Sequence, residues 1–483
     1  MYPRMHLDDQ RLKGKSGSTS VAEARPDSLG FYLGVRHAWS VMARHRGSWR
    51  HLRLSEDLSV QPPEAQLQAY KTWSYYLANC LVGRRMPPRP GGLALLSKQS
   101  ELIFRQRLHA RVQGKKHREN LRAWVASLLQ LKRAFPRLPD CLRQETLEKH
   151  REVLSSNIPP FEEFDLVSRI LDLYFPENWA KPLGLQIGSL KNGTIYEGGT
   201  ARDTQNSPFS EVDDQPVVAG SGQIPQKRRA EDRLDDLYIR STQLEKRVCR
   251  ATLVPDAGKF RTITIESVTH KSLQPVQKYL FRHLTTFPEF HGLTTPIQNR
   301  EFGPILNPII QGLCESRGSR KEEFLSIDYS LATDGCESSH FPELMGKIID
   351  RSGCFELKAL RHLAVREFER GKMIEYPSWT GLESILQSRG TLMGSLLSFP
   401  LLCLWNAAII HEAVGHRRFL VVGDDGLVAC TAQERLRWEQ LSSAMGCVPS
   451  PGKVFHRNTF LTFCSQYYRV DHRLGVVRLP WCP

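Results

Sequence analysis

No Cys-x-x-Cys pair occurs in the 483 residues, and the eleven cysteines are scattered singly from Cys80 to Cys482 with no neighbouring histidine. That usage argues against a zinc site and for reduced thiols in a cytosol-like compartment. Residues 1–28 lack the continuous apolar core of a secretory signal. They carry Arg, Lys and Ser as a mitochondrial presequence does, but Asp8, Asp9 and Glu23 break the acid-poor pattern, so a disordered basic tail is expected. Internal repeats are absent. One uncharged stretch reaches membrane length, TLMGSLLSFPLLCLWNAAII at 391–410. Its Ser395, Ser398, Pro400 and Asn406 are polar for a span, and a helix buried on all sides reads the same way, so no stable membrane span is expected. Negative charge is also short: 51 acidic against 66 basic residues leave a net charge of +15. Such a chain expects an anionic partner, and nucleic acid fits better than a membrane because no basic amphipathic helix dominates.

The length suffices for two or three domains with buried cores. Leu121, Trp124, Val125, Leu128 and Leu129 follow helical spacing, and Phe164, Val167, Leu171 and Tyr174 make a second apolar stripe. With the charge run KKHRENLR between such stripes, residues 29–186 are expected to form a helical basic extension. Residues 187–228, rich in Gly, Ser, Thr, Asn, Gln and Pro, are expected to be a flexible linker or long loop. Helices and short strands then alternate, an α+β pattern.

The chemistry centres on RFLVVGDDGLVAC, residues 418–430. Two apolar runs flank Gly-Asp-Asp-Gly, which predicts a hairpin presenting Asp424 and Asp425. Adjacent carboxylates on rigid strands suit hard divalent cations such as Mg²⁺, although Asp-Gly is also an ordinary turn. EFLSIDYSLATDG supplies partners: a strand over 324–327 delivers Asp328, with Asp334 six residues on. Carboxylates from more than one element are what a two-metal site requires. In KFRTITIE, Lys259 and Arg261 lie two apart on a strand and face one way, placed to neutralise a nucleoside triphosphate. In QSRGTLMGSLLSF, Gly390, Gly394 and Ser395 form a loop suited to close approach of a nucleic-acid backbone, and Asn406 is a buried amide needing partners, a sugar hydroxyl among the candidates. Lys453 follows in PSPGKVF. Each motif has an ordinary structural explanation alone; their occurrence in this order does not.

From about residue 246 to 466 the chain resembles RNA-dependent RNA polymerases of the narnavirus, ourmiavirus and levivirus lineage, and most of all the ourmia-like (botourmiavirus) replicases of fungi and plants. DYSLATD is similar to the first palm motif, RGTLMGSLLSF with Asn406 to the second, GDD to the third, and KFRTITIE to the fingers motif. The resemblance implies a right-hand polymerase with a mostly helical N-terminal extension, fingers over 229–323, a palm with an interleaved fingers segment over 324–459, and the end of the palm with a short tail over 460–483. It implies that Asp328 and Asp424, with Asp425 assisting, ligand two Mg²⁺ or Mn²⁺ ions. By the same carry-over Asp334 and Asn406 read the ribose 2′-hydroxyl, Ser395 lies near template and nascent strand, Lys453 serves the leaving pyrophosphate, and Lys259 and Arg261 hold the triphosphate. The implied partners are single-stranded and duplex RNA and ribonucleoside triphosphates, with host or viral subunits as further candidates, and the implied compartment is host cytoplasm, with the mitochondrion as alternative. Where the family often has Glu-Pro after the fingers strand, Ser267 follows Glu266. A reduced thumb is expected, for which the N-terminal helices complete that wall, a partner supplies it, or the chain is shortened. The rival functions are a reverse transcriptase and an inactive protein that retains a genome by its basic surface.

Overall fold

The structure, a computed structural model, describes residues 26–45, 52–82, 88–111, 126–135, 138, 140–183, 194–195, 199–200, 247–256, 258–266, 268–293, 322–450, 453–471 and 475–479. The expected tail up to residue 25, Leu121, Trp124 and Val125, and most of the expected linker lie outside them. The longer helices among the described residues are α1 (Pro26–His45), α2 (Pro63–Val82), α3 (Lys98–Arg111), α4 (Cys141–Ser155), α5 (Leu166–Tyr174), α6 (Gln274–Leu284), α7 (Phe341–Asp350), α8 (Ser398–Val414) and α9 (Ala432–Ala444). Their starts are written locally. Pro63 opens α2, where a missing N–H costs nothing. The Asp165 carboxylate accepts the Ser168 N–H at 2.9 Å to cap α5, and Thr431 with Glu434 forms a capping box on α9.

Residues 29–186, expected as one helical extension, divide among four cores. Helices α1 and α2 bury Trp39, Tyr70 and Trp73 with Leu95, Phe104 and Leu131 in a core of their own. Leu147 and Leu154 of α4 instead pack on a sheet further along the chain, with Cys249, Ala251 and Ile374. Val167, Ile170, Leu171 and Tyr174 of α5 belong to the central core around α8. The apolar stripe identifies a buried face but carries no information about what covers it.

The main strands are β1 (Val248–Asp256), β2 (Lys259–Ile265), β3 (Glu323–Ile327), β4 (Met373–Glu375), β5 (Ile385–Leu386), β6 (Phe419–Val422), β7 (Asp425–Cys430), β8 (Phe455–Arg457), β9 (Phe460–Phe463), β10 (Gln466–Asp471) and β11 (Gly475–Arg478). One sheet has the order β2-β1-β4-β5, with β1 and β4 parallel. A second, antiparallel throughout, has the order β8-β3-β7-β6. Alternation divides its side chains. Leu325, Ile327, Val421 and Val428 face the helical layer, where Trp405 of α8 is fully buried. Phe324, Leu420, Leu427 and Ala429 face the C-terminal meander β9-β10-β11. Both faces being covered explains why β6 reads as an unbroken apolar run and why β3 is buried from Phe324 to Ile327. Helix α8, drawn from the uncharged stretch, is sheathed in protein; among the described residues no helix is long and apolar enough to cross a membrane.

The N-terminal region closes on the C-terminal strands. Ala78 of α2 and Ala126 share a core with Phe455, Phe460 and Tyr467. Gln130 donates to the Tyr467 hydroxyl at 2.8 Å, and Arg457 donates to Asn79 at 3.2 Å.

Four buried or half-buried charges tie the β2-β1-β4-β5 sheet together. Lys372 donates to Glu266 at 3.0 Å and to Glu367 at 2.7 Å, and His270 bridges the same two carboxylates at 3.1 and 2.9 Å. The two glutamates and the histidine lie close enough to resemble a metal cluster. Lys372 already supplies a cation there and both ring nitrogens face carboxylates, so the group is a closed ion quartet. Burial opposes ionisation of Glu367, but Lys372 and then His270 outweigh it and hold the carboxyl well below the usual range. Burial likewise opposes charge on His270 and Lys372, and Glu266 and Glu367 outweigh it, raising both. Stabilisation from Glu367 is therefore present above its unfolded pKa of about 4.3 and lost as pH falls, whereas that from His270 is present below about 6.5 and lost as pH rises through its raised value. Unfolding free energy is expected to be highest between those limits. In urea at about pH 6, Glu367→Gln should cost about 3–5 kcal/mol by leaving two cations to one carboxylate. A cost under about 1 kcal/mol would show that the quartet does not hold the sheet.

Candidate active site

Strands β6 and β7 pair with Val422 opposite Asp425, so Gly423 and Asp424 alone make the turn. Gly423 has φ +64°, Asp424 is not among the residues of positive φ, and glycine first is the requirement of a type II′ turn. A Cβ on Gly423 would also stand 2.7 Å from the Phe399 ring. Asp425 is the first residue of β7 rather than part of the tip. On the neighbouring strand Ile327 lies opposite Gly426, which brings Asp328, one residue on, beside the turn. A Cβ on Gly426 would meet Ile410 and Ile327 at 3.1–3.2 Å, so helix and strands approach closely beneath the acids.

Asp328, Asp424 and Asp425 therefore converge. The Asp424 carboxyl is pushed above its ordinary range by burial and then by Asp328; Asp425 is pushed further by burial, Asp424 and Asp328. Lys453 pairs with Asp328, its ammonium donating to both carboxylate oxygens at 2.7 and 2.9 Å. Three carboxylates against one ammonium leave excess negative charge on hard oxygen donors, the donor set that divalent cations such as Mg²⁺ or Mn²⁺ fit.

Asn406 departs from the expectation that it reads ribose. It is fully buried in α8, its carbonyl oxygen accepts from the Tyr329 hydroxyl at 2.9 Å, and its amide nitrogen donates to the Gly423 and Asp424 carbonyls at 3.1 and 3.4 Å. Trp438 of α9 donates to the same Tyr329 hydroxyl at 2.9 Å, and Cys403 accepts the Gly423 N–H at 3.1 Å. The amide is spent on holding the turn. Asp334, the other expected ribose reader, is also buried, with its carboxyl pushed up to about 7 chiefly by burial and one oxygen lacking a protein partner.

The glycine loop likewise serves the protein itself. A Cβ on Gly394 would stand 2.0 Å from the Thr264 carbonyl of β2, and Thr264 N–H donates to the Met393 carbonyl at 3.0 Å. Gly390, φ +79°, rides on the Asp334 carbonyl, which a Cβ would approach to 2.6 Å. The close approach these glycines allow here is to backbone of β2 and of the Asp334 turn. Ser395 beside them is buried, its hydroxyl without a protein partner.

Lys259 and Arg261 open β2 as expected, but they behave differently. Arg261 is half exposed and donates to Asp256 at 2.6 Å. Lys259 is lowered by burial and then by Arg261 and Lys453, while Asp328 acts to raise it, so its ammonium lies in the field of the site. Sequence reasoning missed two more cations. Lys132, in the helical turn Leu131–Ala134, is brought down to about 8 by burial, then by Lys453 and Lys259. Lys71 of α2 is lowered by burial and then by Lys453. No periodicity or motif separates these two from the many other basic residues of that region.

A four-stranded antiparallel sheet with one aspartate at the end of a central strand and two at the adjoining hairpin, backed by helices, has the arrangement expected of a palm, and the basic β1-β2 hairpin that expected of its fingers. By sequence, the chain is similar to the RNA-dependent RNA polymerase of Ourmia melon virus (isolate Melon/Iran/VE9), 28% identical over 445 residues, covering 80% of this chain and 49% of that one. The chain thus spans about half the length of the curated relative it matches, a polymerase of the lineage its motifs resemble. No family model matches. Among solved structures it is similar to the RNA-dependent RNA polymerase of a human picorbirnavirus, with a TM-score of 0.49 and 13% identity over 83% of this chain and 75% of that one. The insertion-loop deletion mutant of that polymerase gives 0.48 and 14%, over 83% and 77%.

Asn406→Ala would leave a hydroxyl and two turn carbonyls short of partners, and is expected to lower unfolding free energy by about 2–4 kcal/mol in urea. A residue that only read ribose would change sugar selectivity and leave stability untouched.

Proposed function

We propose that the chain is an RNA-directed RNA polymerase that replicates a positive-sense single-stranded RNA viral genome by two-metal nucleotidyl transfer. The observation that carries this is the convergence of Asp328, Asp424 and Asp425 on one edge of the palm sheet, with Lys453 on Asp328. Two divalent cations, when bound, supply activation of the attacking 3′-hydroxyl and stabilisation of the leaving pyrophosphate. Asp328 and Asp424 would hold them, with Asp425 assisting.

The other steps fall to the chain's own groups. Lys453, which donates to Asp328, would carry the proton that the pyrophosphate takes up on leaving. Lys259 meets the triphosphate, and Arg261 joins it by exchanging Asp256 for phosphate. Asp334, with an unpartnered buried oxygen, remains the group assigned to the ribose hydroxyl, whereas Asn406 acts only by holding the turn. Ser395 is assigned to the path of template and nascent strand, which its loop would have to open to admit. The net positive charge supports RNA, single-stranded and duplex, as the retained partner. Host cytoplasm is the compartment favoured by the buried free thiols from Cys80 to Cys464, with the mitochondrion as the alternative.

The test is ribonucleotide incorporation on a single-stranded RNA template with Mg²⁺ and then Mn²⁺. Incorporation should fall on the order of 10³-fold or more in Asp424→Asn, with deoxynucleotides rejected by the wild type. Deoxynucleotide incorporation would favour a reverse transcriptase, and undiminished activity in Asp424→Asn would remove the two-metal assignment.

A further inference from the structure

Lys453 owes its place to a segment laid along the strand that ends in Asp328. Beyond Asp328 the chain continues as the two-residue strand Tyr329–Ser330, which pairs antiparallel with Val448–Pro449, Ser330 opposite Val448 and Tyr329 opposite Pro449. The Ser450 N–H then donates to the Asp328 carbonyl at 2.8 Å, and the Lys453 N–H donates to the Ser450 carbonyl at 3.2 Å. The main chain of Ser450 is thus bonded to the residue that carries the catalytic carboxylate and to the residue that carries the ammonium.

So short a ladder is weak by itself, and Pro449 brings no N–H to it. Side chains reinforce it. Alternation turns Tyr329 into the core, where its hydroxyl meets Asn406 and Trp438, and leaves Asp328 and Ser330 on the opposite side. There the Ser330 and Ser450 hydroxyls lie 3.2 Å apart and bond to each other, with Ser450 buried. Lys453 needs such a support. Its stem is long and flexible, and an ion pair that leaves the lysine 49% exposed holds it only weakly, so the main chain beneath decides where the ammonium stands.

We propose that Ser450, braced by Ser330, is a positioning residue for Lys453: the hydroxyl pair holds the stretch from Ser450 to Lys453 against the Asp328 strand and so keeps the ammonium at the edge of the site, within reach of the leaving pyrophosphate. The inference rests on the polymerase reading above, which gives Lys453 its task, and adds two hydroxyls to which that reading assigns nothing. Both serines act through Lys453; no bond is made or broken at either.

The test compares Ser450→Val with Ser450→Thr, which match in size and differ in the hydroxyl; Ser330→Ala replaces them if position 450 does not accept a branched side chain by its melting curve. Ser450→Val should lower kcat for ribonucleotide incorporation about fivefold while KM changes much less, and Ser450→Thr should restore it. In a Lys453→Met background, Ser450→Val should lower the residual rate no further, because the group it positions is gone. An unchanged kcat in Ser450→Val, or an equal fall with and without Lys453, would overturn the proposal and leave the polymerase reading standing. A second arm needs no activity: acetylation of Lys453 in the folded protein, followed by mass spectrometry, should be about fivefold faster in Ser450→Val and Ser330→Ala than in wild type or Ser450→Thr. A wild type that incorporates nothing counts against the polymerase reading, and the acetylation arm then decides the role of the serines: faster labelling keeps it, and unchanged labelling removes it.

Discussion

Asp328, Asp424 and Asp425 repel one another in a half-buried volume, and the surrounding elements are placed so as to keep them together. Strand pairing sets Asp328 beside the Gly423–Asp424 turn. Helix α8 then holds the turn from below through Asn406 and Cys403, and α9 holds Asn406 indirectly through Trp438 and Tyr329. Lys453 offsets part of the charge from the front. A site meant for cations has to be rigid when they are absent, because carboxylates free to move apart would do so. The rigidity comes from a helix buried on all sides, whose one amide is spent on two turn carbonyls.

The fingers hairpin and the N-terminal region complete the surroundings. The β1-β2 hairpin is anchored at its far end by the quartet of Glu266, His270, Glu367 and Lys372, and the glycine loop leans on it through Thr264. Its tip, carrying Lys259, lies against Lys132. Helix α2 and the segment around Gln130 brace the C-terminal strands that cover the other face of the palm sheet. Acids at the sheet edge thus meet the Lys453 ammonium directly, with Lys259 in their field, an arrangement suited to a polyanion bridged by divalent ions.

What the sequence made legible was local. The hairpin with its two aspartates, the strand ending at Asp328 and the basic strand each carry their signal within about ten residues, as alternation, turn chemistry or an apolar run. What stayed hidden depended on partners far away. Glu266 and Glu367 meet in space from opposite ends of a hundred-residue interval, and nothing in either neighbourhood announces it. Asn406 shows why residue type alone misleads: a buried amide must find partners, but the sequence does not say whether they are a ribose or the backbone of the next turn. Gly390 and Gly394 mark close approach correctly without saying to what. Residues 29–186 looked like one helical block because periodicity reports a buried face and not its cover.

The reading proposed above makes the three aspartates a cation site, with Lys453 as counter-charge to Asp328. The most direct measurement is anomalous diffraction from crystals of the protein soaked in Mn²⁺ with a non-hydrolysable ribonucleoside triphosphate. The account predicts two manganese peaks between Asp328 and Asp424, with the Lys453 ammonium displaced from Asp328. Crystals with triphosphate bound, no manganese among these carboxylates and the Lys453–Asp328 pair intact would contradict it.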